Sequence, residues 1–236
     1  LSEYDYRCRM KHRSGRWLWV HDRGKDLEWT DDGKPLMMYG THADITDEMN
    51  NLHRVQQQNA ALGILNDLAL DSETSDDARI EKALRLGSAY LNLPLAIVSE
   101  INSNVYSVRW FVAPADSGLE ADLSFPLEDT YCSMLLGTKN SLAISHMAVS
   151  RHRNHPCYGK FGLESYLAAP IFVQDDLYGT LNFSSPEPRS QDFSDTEVTF
   201  VTLLARWIAG LIERKISVQM LTKLVEQTPG KLYQYQ

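Results

Sequence analysis

The chain has 236 residues, of which 43% are hydrophobic and 23% charged, the balance of a folded soluble protein with material for one large domain or two small ones. Its 31 acidic and 23 basic residues leave a net charge of −8, which excludes nucleic acid as the default partner because phosphate binding needs clustered Lys and Arg. No stretch reaches the ~18 uninterrupted apolar residues of a membrane span, and nothing resembles a signal peptide. The three cysteines, Cys8, Cys132 and Cys157, are an odd, sparse count that fits a reducing cytoplasm without a disulfide framework. A membrane anchor is expected only in other parts of a longer parent.

The first predicted elements lie between residues 4 and 46. Tyr4, Tyr6, Cys8 and Met10 alternate with charged residues, the period-two pattern of a strand with one buried and one wet face. Ser14-Gly15 supplies a permissive turn, Arg16-Trp17-Leu18-Trp19-Val20 a second strand, and Asp32-Gly33-Lys34-Pro35 the turn into a third. Asp44-Ile45-Thr46 closes the run. These stretches resemble the last three strands of a PAS domain with that family's D-I-T exit signal. The resemblance implies that the chain opens in the middle of such a domain, as a fragment of a longer sensor. It also implies that this half has no working pocket, because the helices that carry most of a PAS cofactor site precede it.

Asp47 to Asn66 reads as a helix. Leu52, Val55, Asn59, Leu62, Asn66 and Ala69 alternate spacings of three and four, a short heptad seam. Asn59 and Asn66 fall on the seam, where a buried Asn fixes register in a parallel dimer. The alternative is an amphipathic helix packed on its own domain; the dimer seam is preferred because the exit helix of a sensor, as the resemblance implies, must couple to something.

The second unit spans residues 67 to 214. Ser72 to Ser75 are capping residues, and Asp76 and Asp77 complement the dipole of a helix that runs through Ile80, Leu84 and Tyr90 to Pro94. Strands are predicted at Leu95 to Ile101 and Val105 to Val112. An irregular section from Pro114 to Glu164 follows, with a short helix near Thr130 to Leu136 and a strand near Leu142 to His146. Tyr166 to Val173 and Leu177 to Ser184 pair around Gln174-Asp175-Asp176. Ser194 and Glu197 make a capping box with Phe193 as a hydrophobic staple. The helix they open keeps a three-four repeat through Val201, Leu204, Ile208, Leu211, Val218 and Val225, with Lys215 and Thr222 filling the gaps, and is predicted to run unbroken to about Glu226, its second half projecting.

Tyr166-Leu167-Ala168-Ala169-Pro170-Ile171, Leu177-Tyr178-Gly179-Thr180-Leu181-Asn182 and Asp192-Phe193-Ser194-Asp195-Thr196-Glu197 resemble the G-x-P-I strand, the L-x-G-x-L strand and the F-x-x-x-E helix start of GAF domains, with Ala168 and Ala169 where a Gly is common. The resemblance covers about two thirds of the chain. It implies an α+β fold: a GAF-like central antiparallel sheet with helices on one face, preceded by the PAS-type meander and a linker helix. In the tail, Leu224-Val225-Glu226, Pro229-Gly230 and Tyr233 resemble the start of another PAS domain. The expected organisation is thus a PAS C-terminal half at 1–46, a linker helix at 47–66, the GAF domain at 67–214, and a linker helix with the start of a second PAS domain at 215–236.

His146, His152, His155, Cys157 and Cys132 crowd into the central section, and imidazole and thiolate are good metal ligands. Their spacing is not the pair-plus-pair arrangement of a zinc site, and Arg151 and Arg153 repel a cation, so no metal is expected. Some GAF photoreceptors attach a bilin through a Cys in this insertion, which would make Cys157, or Cys132 after Asp129, the attachment point. Tyr158 stands where those proteins usually have His, and the stretch from Cys157 to Pro170 is short. The plain alternative is two small core hydrophobes. There is no G-x-S-x-G elbow, H-E-x-x-H or P-loop, and no kinase or G-G-D-E-F-type output sequence, so no catalysis is expected. Trp110, Phe111, Phe125, Tyr131, Tyr158, Phe161 and Tyr166 are core residues or the lining of a cavity between sheet and insertion. The candidate ligand-binding set is Trp110, Tyr131, His146, His155, Tyr158, Phe161 and Asn182. The GAF signature for cyclic nucleotides is missing.

The expected function is a non-catalytic, cytoplasmic regulatory segment of a bacterial signalling protein. It would relay binding of a small molecule or partner through dimeric helices, at Leu52, Val55, Asn59, Leu62, Leu211 and Val218, to a downstream PAS domain and output. That output would be a histidine kinase or a cyclic-di-GMP enzyme. The alternatives are a ligand-free GAF domain acting as a dimerisation spacer and a bilin-binding photosensor.

Overall fold

The computed structural model describes residues 3–33, 35–71, 75–136 and 140–227, so Lys34, Ser72 and the tail residues Pro229, Gly230 and Tyr233 lie outside the described residues. The chain divides into two compact units, Leu1–Asn59 and Ala60–Gln236.

The first unit is an antiparallel meander of β1 (Glu3–Lys11), β2 (Trp17–Trp29) and β3 (Pro35–Asp44), in the order β1-β2-β3. Register pairs Tyr6 with Asp22 and Cys8 with Val20, and it sorts the faces by parity. Tyr4, Tyr6, Cys8, Met10, Leu18 and Val20 share one face. The other carries ion pairs, Lys25 to Glu3 at 2.6 Å and His21 to Asp5 at 2.7 Å. On the apolar face Tyr6 and Met10 remain exposed, while Asp22 is buried and accepts the Tyr6 hydroxyl at 2.9 Å.

The exit from the meander has a local cause. Asp44 Oδ1 accepts the Thr46 N–H at 2.9 Å, and Thr46 Oγ1 accepts the Trp19 N–H at 2.9 Å, so the turn is pinned to β2 as the helix begins. That helix, α1 (Thr46–Leu70), runs a turn beyond the Asn66 expected from sequence. Its last turns are held by the second unit: Ala61 and Leu68 are buried in that unit's core, and Arg79 donates to the Leu68 carbonyl at 3.3 Å.

The second unit is built on a six-stranded antiparallel sheet in the order β6-β5-β4-β9-β8-β7. Its strands are β4 (Leu95–Asn102), β5 (Val105–Val112), β6 (Ser124–Pro126), β7 (Leu142–Ile144), β8 (Ser165–Val173) and β9 (Asp176–Ser185). One face packs against α2 (Asp76–Leu91), α4 (Asp195–Gln227) and the end of α1. Ser75 caps α2, accepting from Ala78 N, and Asn92 ends it in a left-handed conformation. The opposite face carries three short 3₁₀ turns, Leu127–Asp129, Tyr131–Met134 and Met147–Val149, and the short α3 (Pro156–Phe161), closing over a second apolar cluster.

The predicted capping box forms. Glu197 Oε2 accepts the Ser194 N–H at 2.7 Å and the Ser194 hydroxyl at 2.9 Å, and Arg189 binds the other oxygen at 2.7 Å. The 33 residues of α4 form one helix about 50 Å long at 1.5 Å per residue. Phe200, Val201, Leu204, Ile208, Leu211 and Ile212 are buried in the core, whereas Ile216, Val218, Met220, Leu221, Leu224 and Val225 are exposed. Leu211, grouped by its spacing with the dimer seam, is therefore a core residue, 7% exposed, because the sheet still lies beneath α4 there. Among the described residues no helix is long and apolar enough to cross a membrane.

One irregularity decides which side chains reach which face. Val98 pairs with Trp110 and Ser99 with Val108, so Arg109 is an extra residue bulged out of β5. Alternation along β5 inverts across it. Tyr106 and Val108 join the cluster under the 3₁₀ turns, and Trp110 joins the helix side.

Candidate functional site

Between the sheet and its irregular cover lies a cavity of about 450 Å³, within the range of small-molecule sites. Its floor comes from Ile97 on β4, Tyr106 and Val108 on β5, Tyr166 on β8 and Asn182 and Ser184 on β9. Tyr131, Cys132, Phe161 and Leu163 cover it, and Leu119 and Phe125 wall it.

The rings hold one another. Tyr131 stacks on Tyr166 with centroids 5.0 Å apart and planes at 24°, and Phe161 meets Phe125 edge-on at 5.3 Å. Tyr131 is fixed at its hydroxyl, which donates to the Leu163 carbonyl at 2.8 Å and accepts the Leu163 N–H at 3.1 Å. A small polar network runs beneath. Asn182 Nδ2 donates to the Tyr106 hydroxyl at 3.3 Å, Cys132 Sγ lies 3.1 Å from the Tyr166 hydroxyl and 3.0 Å from Thr180 Oγ1, and Thr180 Oγ1 lies 2.9 Å from Ser99 Oγ.

These groups are neutral at physiological pH. Burial pushes the Tyr106 and Tyr166 phenols well above their ordinary value and raises Tyr131 and the Cys132 thiol. None of the described residues lining the cavity is Arg, Lys or His, and one, Asp116, is acidic and exposed.

Of the candidate ligand-binding residues, Tyr131, Phe161 and Asn182 line this cavity. Trp110 stands on the opposite face of the sheet because of the bulge, its indole N–H donating to Asp77 at 3.0 Å. His155 caps α3: its Nδ1 accepts the Cys157 N–H at 3.3 Å, and its Nε2 lies 3.2 Å from Ser133 Oγ. Tyr158 donates to Glu164, which also accepts the Ala148 N–H at 3.1 Å and lies 3.7 Å from the half-exposed His146. These three build the cover and do not line the cavity. Cys132 lines it; Cys157 is fully buried, does not, and has its thiol pushed up to about 12 by burial. Among the described residues no group of three His, Cys, Asp or Glu side chains is placed to hold a metal ion.

The sequence reading missed Tyr106 and Val108. The signal was available in the alternation of Tyr106 and Val108 at the start of β5. Of the seam residues, Leu52, Val55, Asn59 and Leu62 are exposed, Leu62 at 61%, as is Val218 at 57%.

A second cluster marks the point where α4 leaves the core. Lys215 Nζ donates to Asp77 Oδ1 at 2.6 Å, the same oxygen that takes the Trp110 N–H, and its ammonium lies 5.2 Å over the Trp110 ring. Arg214 binds Asp76 through two nitrogens. Lys215, and then Trp110, hold the Asp77 carboxyl below its usual range.

The family model for the GAF domain matches residues 77–212. No curated protein matches the chain. Among solved structures, the GAF domain of an Acinetobacter phosphoenolpyruvate-protein phosphotransferase is similar at a TM-score of 0.56 and 14% identity, over 70% of this chain and 98% of that one. Free methionine-R-sulfoxide reductase from Neisseria meningitidis, in complex with its substrate, is similar at 0.53 and 13%, over 68% and 91%. The phycoerythrobilin-bound GAF domain of a cyanobacterial phytochrome is similar at 0.54 and 17%, over 69% and 97%. At such identities these likenesses show the fold.

Proposed function

The chain belongs to the GAF domain family, and from that premise we propose that it is a non-catalytic sensory segment of a bacterial multidomain signalling protein in the cytoplasm. Its cavity takes a small molecule. Occupancy alters the sheet beneath α4, and the change leaves through α1 and α4, paired in parallel with those of a second copy. The observation that carries this reading is the open cavity of about 450 Å³, where a spacer would be packed solid.

Supporting features flank it. The exposed Tyr6 and Met10 on the meander suit the later half of a PAS domain, with Asp44-Ile45-Thr46 as its exit. Leu52, Val55 and Leu62 on α1 and Val218 on α4 are exposed at heptad spacing, as a dimer seam requires. The output is a further PAS domain followed by a histidine kinase or a cyclic-di-GMP enzyme.

The test is a cavity-filling variant, Val108→Phe, compared with the unmodified protein by sedimentation velocity and by hydrogen exchange along residues 213–227. A dimer whose exchange in that segment changes on filling is expected. A monomer at high concentration overturns the relay, and a dimer whose helix ignores filling leaves the spacer reading. A covalent coloured adduct with phycocyanobilin would establish the photosensor instead.

A further inference from the structure

We propose that the occupant of the cavity is an uncharged, mainly apolar, ring-bearing molecule with a single hydrogen-bonding group, which Asn182 reads. This rests on the reading of the cavity as a ligand site and adds the chemistry of what enters it.

Charge is the first argument. An ion taken into an apolar cavity loses its hydration and needs an opposite charge or several hydrogen bonds in return. The described lining offers no Arg, Lys or His to a carboxylate or phosphate. Lys160, whose ammonium lies 5.5 Å over the Phe125 ring and 5.6 Å over Phe161, is bound to Asp129 at 2.8 Å. Asp116, the acidic residue of the lining, is exposed and offers a cation little once inside. Both signs of ligand charge are therefore disfavoured, which counts against anionic nucleotides and propionate-bearing tetrapyrroles.

Shape is the second. Tyr106, Phe125, Tyr131, Phe161 and Tyr166 contribute rings, and Ile97, Val108 and Leu163 add aliphatic surface. Ring faces and edges favour a ring-bearing guest through stacked and edge-on contacts.

Polarity is the third, and on the floor it centres on β9, where Asn182 and the buried Ser184 both line the cavity. Asn182 is 3% exposed yet lines the cavity. Its Nδ2 gives one hydrogen bond, to the Tyr106 hydroxyl, and among the described residues its carboxamide oxygen receives none. A carboxamide has capacity for four. The Tyr106 hydroxyl is already engaged by Asn182. One donor hydrogen and both acceptor sites of the carboxamide oxygen are thus unspent on Asn182, which suits a hydroxyl, amide or ring N–H of the guest.

Three probes on one ring system isolate the charge: 1-naphthol, 1-naphthoate and 1-naphthylmethylammonium, titrated into the full chain by calorimetry at pH 7. Naphthol is expected to bind at least about tenfold tighter than either ion. Asn182→Leu is expected to weaken naphthol about tenfold, and Val108→Phe to abolish its binding. Equal or tighter binding of naphthoate or of the ammonium overturns the class and leaves the cavity reading standing. Naphthol binding untouched by Val108→Phe places the guest elsewhere and overturns both. Binding of none of the three at millimolar concentration overturns the class, while the hydrogen-exchange test of the relay is unaffected. The ranking on the unmodified protein decides alone if Asn182→Leu does not fold.

Discussion

Trp110→Phe tests whether the cluster at the root of α4 acts as a clamp. The substitution keeps an aromatic ring against the helices but deletes the N–H that Asp77 accepts at 3.0 Å. A hydrogen bond to a charged partner contributes about 1.5–3 kcal/mol when shielded. Asp77 is 51% exposed, so water partly replaces the lost donor and roughly 1 kcal/mol is the appropriate figure. The weaker ring loses part of its attraction for Lys215, 5.2 Å away, about 0.5 kcal/mol at this exposure. The expected total of about 1–2 kcal/mol lowers the melting midpoint of the second unit by roughly 3–6 °C. Hydrogen exchange should quicken in residues 212–216 and 76–79. Because Asp77 is held below its usual range, its contribution is present above about pH 4 and lost as acid takes the solution through the lowered value, so the variant and the parent should converge there. A cycle with Lys215→Met should show coupling above ~0.5 kcal/mol. Additive effects with unchanged exchange would refute the clamp.

Other substitutions probe the frame of the site. Cys132 and Cys157 are buried with raised thiol values, so iodoacetamide at pH 7 should modify both only after denaturation, leaving Cys8 to account for native-state labelling read by mass spectrometry. Gly179→Ala should unfold the second unit or destabilise it by more than ~4 kcal/mol, since a methyl there runs into the Ser99 carbonyl across the β4–β9 ladder; denaturant titration reads the loss. Glu197→Ala removes the capping box and leaves Arg189 without its carboxylate. A loss of about 3 kcal/mol follows from the cap and the broken, largely buried pair, measurable as a shift in denaturation midpoint at constant slope.

The frame was legible because its signals are local or nearly so. The three-residue spacing of Ser194 and Glu197 is a helix start wherever it occurs, and Gly179 marks a close backbone approach that the motif around it encodes. The site was less legible because it depends on what lies across the sheet. Alternation along Val105–Val112 assigns Trp110 to the same face as Tyr106 and Val108; the bulge at Arg109 reverses that, and nothing in Arg109 itself announces it. Likewise the three-four repeat of α4 passes unbroken from Leu211 to Val218, but the sheet beneath it stops, so one is core and the other surface. His146, His155 and Tyr158 look like ligands by type, yet the cap of α3 and Ser133 occupy His155, and Glu164 pairs with both Tyr158 and His146.

The bulge also gives the proposed relay a place to act. On a regular strand Val108 and Trp110 would share a face; here they lie on opposite sides of the sheet, Val108 on the cavity floor and Trp110 in the clamp on α4, with one residue between them. The bulged Arg109 between them pairs with Glu100 at 2.6 Å and Asp122 at 2.5 Å. In the proposed relay a displacement of Val108 travels along β5 to Trp110, which contacts Asp77 and Lys215. The magnitudes agree: coupling between sites is typically ~1–3 kcal/mol, and the contacts of Trp110 in the clamp are worth about 1–2 kcal/mol by the reckoning above. In the proposed relay, a guest whose binding favours a shifted Val108 by that amount loosens the root of α4. The same amount falls well short of what would dislodge Leu204, Ile208 and Leu211 from the core. The exposed half of α4 can change its packing while the domain that holds it stays folded.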